Sequence, residues 1–146
     1  MNRIETLSSD LANRLRRATT AQRHAAALAA CEFSIAHARI DDPVVADALR
    51  CLRAGDALAR DRRIQIDSLA ARLDEEYLNL QVAAEAGKSS APDYLLRFAE
   101  ARAVAALAFL CKEGGVDAEE DAIYEAAAAA LDDKQQLLAI VQSALR

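Results

Sequence analysis

Two acidic segments, each with a tyrosine, contain the side chains of this sequence that are best suited to chemistry or binding. They comprise Asp74, Glu75, Glu76 and Tyr77, followed by Glu119, Glu120, Asp121, Tyr124 and Glu125. Carboxylates on adjacent helices can hold Mg²⁺ for phosphate hydrolysis. Exposed carboxylates beside tyrosines can instead bind a basic protein surface, with the tyrosines as anchors.

The spacing of the first acidic segment argues against a metal site. All-α nucleotide pyrophosphohydrolases carry acids in E-E-x-x-E and E-x-x-D patterns, and Asn79 stands where an acid would have to follow Glu75 and Glu76. Carboxylates on solvated helix faces and at helix ends are common without any ligand. We therefore predict no metal and no cofactor, and a Mg²⁺-dependent all-α nucleotide phosphohydrolase is an alternative function.

The remaining reactive residues form no known catalytic pattern. His24 and His37 are thirteen positions apart in one predicted helix, so they do not share a face, and His37 could hydrogen bond with Asp41 four residues later. The sequence contains no GxSxG turn, no Gly-rich phosphate loop and no HExxH pair. We predict that no residue is catalytic and that the protein is not an enzyme.

The cysteines and the apolar segments indicate a soluble protein of a reducing compartment. Cys31, Cys51 and Cys111 are an odd number at wide spacing, which suits buried free thiols better than disulfides or a zinc site. The longest apolar run, Ala99 to Cys111, is too short to span a bilayer. We expect a cytoplasmic protein that does not interact with membranes.

The composition predicts that helices position all of these residues. Of the 146 residues 36 are alanine, the strongest helix former, whereas only four are glycine and two are proline. Six residues are Phe or Tyr and none is Trp, so strands are disfavoured. The prediction is one compact all-α domain over residues 1–146, with about six to seven helices in an orthogonal or bundle-like array.

Capping signals predict where the helices begin and end. The first helix covers about 3–17, the second begins after Thr19 or Thr20, and the third begins at Asp42-Pro43 and stops at Gly55. Residues 57–63 are either a turn or the entry to a long helix that ends at Gly87. The later segments are a helix from Pro92 to Gly114-Gly115, a sixth opened by an Asp117–Glu120 capping box, and a last helix from Asp132.

The helix after Pro92 is predicted to be the central packing element, because it is apolar on most sides. Its apolar residues are Leu95, Phe98, Val104, Leu107, Phe109, Leu110 and Cys111. In the long helix before it, Ile66 to Ala84 form an apolar stripe that could serve a helical dimer. A structural or oligomerisation module is therefore a second alternative function.

Charge is divided unevenly along the chain, and this division suggests a partner. Residues 1–70 carry 11 basic and 9 acidic residues, a net charge of +2, whereas residues 71–146 carry 7 and 14, a net charge of −7. An acidic half can attract a basic protein. The isoelectric point of about 5.0 and the absence of aromatics among the arginines disfavour nucleic-acid binding.

Several segments resemble a loose group of small helical bacterial proteins that is associated with toxin–immunity and related conflict systems. The segments are Asp42-Pro43-Val44-Val45 with Ala48-Leu49 and Leu52-Arg53-Ala54-Gly55, then Leu73-Asp74-Glu75-Glu76-Tyr77 with Leu80-Gln81, and Ala101-Arg102-Ala103-Val104-Ala105. The resemblance implies that the protein binds and neutralises a partner protein, and it transfers no catalytic residue. The leading hypothesis is a non-catalytic immunity or inhibitor protein that binds a basic toxin or effector through exposed carboxylates and tyrosines of the two acidic segments.

Overall fold

A computed structural model describes residues 3–88, 91–112 and 115–146, together with all side chains in these ranges except those of residues 91 and 92. The predicted fold class is confirmed, because the described residues form helices and no strand. The helices are α1 (Arg3–Leu7), α2 (Ser9–Arg17), α3 (Thr20–His37), α4 (Pro43–Arg53), α5 (Arg60–Glu85), α6 (Ala91–Cys111), α7 (Val116–Ala129) and α8 (Lys134–Ala144). A short 3₁₀ turn, Leu131–Asp133, precedes α8.

The prediction of one continuous helix over residues 3–17 is wrong, because Ser8 divides it. The Ser8 side chain accepts a hydrogen bond from the Leu11 backbone N–H at 3.1 Å and thereby caps a new helix, α2. A serine hydroxyl competes in this way with the helical hydrogen bonds of its own backbone. The break allows Ile4 of α1 and Leu15 of α2 both to be buried against the same core.

The other cap predictions of the first half are confirmed. Thr19 forms a capping box with Gln22 at the start of α3. Asp42 accepts a hydrogen bond from the Val44 N–H at 2.8 Å, with Pro43 in the first turn of α4. Gly55 follows α4 in the left-handed conformation that a glycine adopts without strain, at φ +76°.

The predicted capping box at Asp117 and Glu120 is wrong. The cap position of α7 is Gly115, which has no side chain that could accept a hydrogen bond from the first turn. Glu120 is buried and approaches Arg16 instead, so it is unavailable to the backbone of its own helix. The last helix also begins later than predicted, at Lys134, because residues 131–133 form the 3₁₀ turn.

Helices α5 and α6 form a long antiparallel hairpin, and the other helices pack around its inner half. α6 contacts α3, α5 and α7, while α3 also packs against α7 and α8. The buried residues of these elements form one hydrophobic core. The prediction that the helix after Pro92 is the central element is confirmed for its second half, where Val104 and Leu107 are fully buried, but Leu95 and Leu96 near its start are exposed.

Two of the three free cysteines lie in this core. Cys31 and Cys111 are buried and Cys51 is partly buried. Burial raises the pKa of both core thiols, that of Cys111 to about 12, so they remain protonated at neutral pH. Among the described helices, none combines the length and the hydropathy that crossing a lipid bilayer requires.

Candidate interaction surface

The acidic residues at the start of α7 point into the protein, so their expected exposure is wrong. Glu119, Glu120 and Glu125 are all buried, and the side chain of Glu120 is only 1% exposed. Each has an arginine partner from the first 23 residues of the chain. The ion pairs are Arg23–Glu119 at 3.2 Å, Arg16–Glu120 at 3.5 Å and Arg3–Glu125 at 2.7 Å.

The local pattern of α7 explains why these carboxylates face inward. Glu119 precedes the buried residue Ile123 by one helical turn, and Glu120 precedes the buried Ala127 by two turns. Burial removes water from the Glu120 carboxylate and raises its pKa, although the nearby Arg16 acts in the opposite direction. The basic partner of these acids is therefore supplied by the chain itself.

Arg3 is held at the surface of α7 by two kinds of contact, hydrogen bonds to carboxylates and contacts with aromatic rings. Its guanidinium donates to Glu125, and to Oδ1 of Asp121 at 3.2 Å. It also lies over the ring of Tyr124, 4.6 Å from the centroid, and 5.9 Å from that of Phe109. Asp121 and Tyr124 are both partly buried. Their contacts with Arg3 stabilise the packing of α1 against α7.

Arg102 of α6 joins the two acidic segments. It donates to Oε2 of Glu125 at 2.9 Å and to Asp74 of α5. Burial alone would lower the pKa of Arg102, but hydrogen bonds and attraction to the two carboxylates outweigh this effect and raise it. The result is a continuous chain of charges, Asp74–Arg102–Glu125–Arg3–Asp121, that crosses four helices.

The rest of the first acidic segment is divided between two sides of α5. Glu76 pairs with Arg97 of α6 at 3.2 Å. The Tyr77 ring packs against Phe98, with 5.2 Å between the centroids, and is partly buried. Of the nine residues predicted for partner binding, only Glu75 is exposed.

The histidines and acids of the described residues do not assemble into a metal site. No group of three or more His, Cys, Asp or Glu side chains with ligand geometry occurs in the described ranges. His24 lies 3.4 Å from the Leu52 carbonyl oxygen, and His37 lies 2.9 Å from Oδ2 of Asp133 rather than beside Asp41. Each histidine thus has a separate partner at its own end of α3.

A cavity of about 650 Å³ lies between the starts of α3 and α7 and the end of α6. His24, Lys112 and Glu119 are among the polar residues that line it. Two of these three already have partners in the protein, since His24 approaches the Leu52 carbonyl and Glu119 pairs with Arg23. Thr20 and Asp56 also line this cavity, so a further carboxylate lies there beside Lys112.

The outer part of the α5–α6 hairpin exposes large apolar side chains. Leu78 and Val82 of α5 are 53% and 64% exposed, and Leu95 and Leu96 of α6 are 43% and 66% exposed. We call these four residues the open hairpin face. Between residues 74 and 98, no described side chain is fully buried. The hairpin therefore extends beyond the core, and sequence reasoning missed it because apolar residues in a helix normally indicate burial.

The open hairpin face continues the surface on which α7 lies. Asp74 of α5 and Arg102 of α6 meet beneath α7, where Arg102 binds Glu125. Leu78 follows Asp74 by one helical turn, so these two residues share a face of α5. Leu95 precedes Arg102 by two turns, so these two share a face of α6. The hairpin thus presents a covered inner half and an uncovered outer half of one surface.

Comparison with known proteins adds no relationship to this description. No protein family matches the chain, and no curated protein or solved structure matches it.

Proposed function

We propose that this protein is a non-catalytic protein-binding protein and that the open hairpin face is its contact surface. The single observation that supports the proposal is the exposure of four large aliphatic side chains, two on each helix of the projecting α5–α6 hairpin. Isolated exposed leucines are ordinary, but a contiguous apolar patch on a helical surface is typical of a binding site. The tilted packing of the Tyr77 ring on the Phe98 ring joins α5 to α6 within the hairpin.

The finer form of the proposal is an immunity or inhibitor protein for a basic toxin or effector. The net charge of −5 and the exposed acid Glu75, next to the open hairpin face, support a basic partner. Glu119, Glu120 and Glu125 are not part of this contact surface, because they are buried against arginines of the chain itself. The proposed contact therefore moves from α7 to the hairpin.

Site-specific photo-crosslinking in cells that express the protein tests the proposed surface. A photoreactive amino acid at Val82 should form a covalent adduct with a partner that mass spectrometry identifies, and the purified partner should then bind the protein. The control is the same amino acid at Ala46, which is exposed on α4 and lies outside the hairpin. The variant Leu78→Asp/Leu96→Asp should lose the adduct and retain its helical circular dichroism. The same adducts from both positions, or none from Val82, would disprove the proposal.

A further inference from the structure

We infer that the open hairpin face binds a short basic amphipathic helix that lies end to end with α7. This inference rests on the proposed function and specifies its partner. Docking of an amphipathic helix on a complementary helical surface is a common mode of recognition.

The seat of α7 shows that this side of the hairpin accepts a helix. α7 packs along α6, and its small residues Ala122, Ala126 and Ala129 are fully buried. Small side chains allow helix axes to approach closely, and the neighbouring ion pair between Glu125 and Arg102 fixes the register. A partner helix on the outer half would extend a packing mode that the protein already uses.

The chain leaves the hairpin before that surface ends. α7 runs antiparallel to α6 and stops at Ala129, about one helical turn beyond Glu125. Leu131 then adopts a left-handed backbone conformation, φ +52°, at the start of the turn that leads to α8. From Arg102 back to the start of α6, by contrast, the hairpin continues for about three turns. About two turns of the surface, roughly 10 Å, are therefore left without a helix of this chain.

Charge selects a basic occupant. Glu75, Leu78, Val82 and Glu85 follow one another at spacings of three and four, so a carboxylate flanks the apolar pair of α5 at each end. Both glutamates are exposed, and neither has an ion pair among the described residues. A second copy of the chain in a symmetric pair would bring these carboxylates towards their equivalents, which disfavours self-association. A helix with lysine or arginine beside its apolar face would satisfy them.

An NMR titration with a synthetic peptide tests the inference. The probe is a peptide of about 18 residues with leucine on one face and lysine on the other. It is longer than the uncovered surface because shorter peptides are barely helical in water. Its matched control has glutamate in place of lysine. The methyl signals of Leu78, Val82, Leu95 and Leu96 should shift with the lysine peptide, whereas those of the buried Leu11 and Leu15 should not. Because the contact is small, the affinity should lie in the micromolar range, and it should fall as NaCl is raised from about 0.05 to 0.5 M.

Charge variants separate the specific contact from general attraction. Glu75→Gln/Glu85→Gln should weaken binding of the lysine peptide by about threefold to tenfold. The control Asp56→Asn/Asp132→Asn removes the same number of charges from exposed positions outside the hairpin and should leave binding unchanged. Equal loss in both variants, or equal binding of the two peptides, would overturn the inference.

Failure of this inference can be told apart from failure of the proposed function. A partner crosslinked at Val82 that is acidic, or that binds without a helix, would support the proposed contact surface. It would contradict the inference that a basic helix binds there. Crosslinks between two copies of the chain at Val82, with a dimer in analytical ultracentrifugation, would also overturn that occupant. Absence of any adduct and of any peptide shift would remove both.

Discussion

The Arg3 guanidinium donates a 2.7 Å hydrogen bond to Oε1 of Glu125, across 122 positions of the sequence. The second oxygen of the same carboxylate accepts from Arg102 at 2.9 Å. Glu125 is buried, so each guanidinium compensates part of a charge that water cannot solvate. These contacts attach the first helix and the hairpin to the same carboxylate of α7.

Arg102→Met should destabilise the protein by about 3 kcal/mol, because it leaves the buried Glu125 with one guanidinium and Asp74 with none. Urea denaturation measures the change. Arg14→Met is the matched control, since Arg14 forms an exposed pair with Asp10 within one helix and should cost less than about 0.5 kcal/mol. Equal losses in the two variants would contradict the structural role of the charge chain.

The stability of the Glu120→Gln variant, relative to that of the wild-type protein, should increase as the pH rises. The pKa of Glu120 is raised by burial, so the folded protein binds its proton more tightly than the unfolded chain does. This group therefore contributes stability at a pH below the ordinary glutamate value, and the contribution is lost as the pH rises through the folded-state pKa. Thermal unfolding between about pH 4 and pH 7 measures the difference.

The exposed variant Glu75→Gln serves as the control in the same pH series and should stay close to the wild-type protein. If Glu120→Gln instead lost stability relative to the wild-type protein as the pH rose, attraction to Arg16 would dominate over desolvation. The predicted sign would then be wrong.

Arg39→Gly should stabilise the protein by about 0.5–1 kcal/mol. Arg39 ends α3 in the left-handed conformation, φ +57°, and its turn is closed by hydrogen bonds from the Arg39 and Ile40 N–H groups to the carbonyls of Ala36 and Ile35. Glycine adopts this conformation without a Cβ clash. Arg39→Ala removes the same side chain but keeps the backbone strain, so chemical denaturation should show no comparable increase in stability. An increase from alanine as large as that from glycine would show that the effect comes from the loss of the arginine side chain.

Leu73→Ala and Leu78→Ala, five residues apart on α5, should differ sharply in stability. Leu73 is buried in the core, and its truncation should cost about 3 kcal/mol, whereas Leu78 is half exposed and should cost less than about 0.5 kcal/mol. Guanidinium denaturation compares the two. A large loss for Leu78→Ala would mean that the open hairpin face is covered in the folded protein, and the proposed contact surface would fall with it.

Local chemistry determined much of the fold in advance. Alanine content predicted the all-α class, and Thr19, Asp42 and Gly55 predicted helix boundaries, because a cap or a left-handed residue acts on atoms within one turn. The break at Ser8 has the same local chemistry but was missed, since a serine within an apolar pattern is compatible with a continuous helix until Ile4 and Leu15 must be buried together.

The burial of the charged residues and their ion-pair partners could not be predicted from local sequence. A signal for their burial did exist, because Glu119 and Glu120 share helical spacing with the buried Ile123 and Ala127. An apolar neighbour does not reveal whether a partner for the carboxylate is present, however, and here the partners are arginines about a hundred positions earlier. His37 likewise pairs with the distant Asp133 instead of the nearby Asp41.

The sequence by itself therefore determined the helical class, most helix ends and the uneven division of charge, all of which depend on neighbours within a few residues. Only the tertiary structure decided which acids are buried and which apolar side chains are exposed. The packing of α1, α2 and α3 brings arginines of the first half onto acids of the second, and the length of α5 and α6 carries Leu78 and Leu96 beyond the core. Burial depends on which elements meet in space, and helical spacing alone does not contain that information.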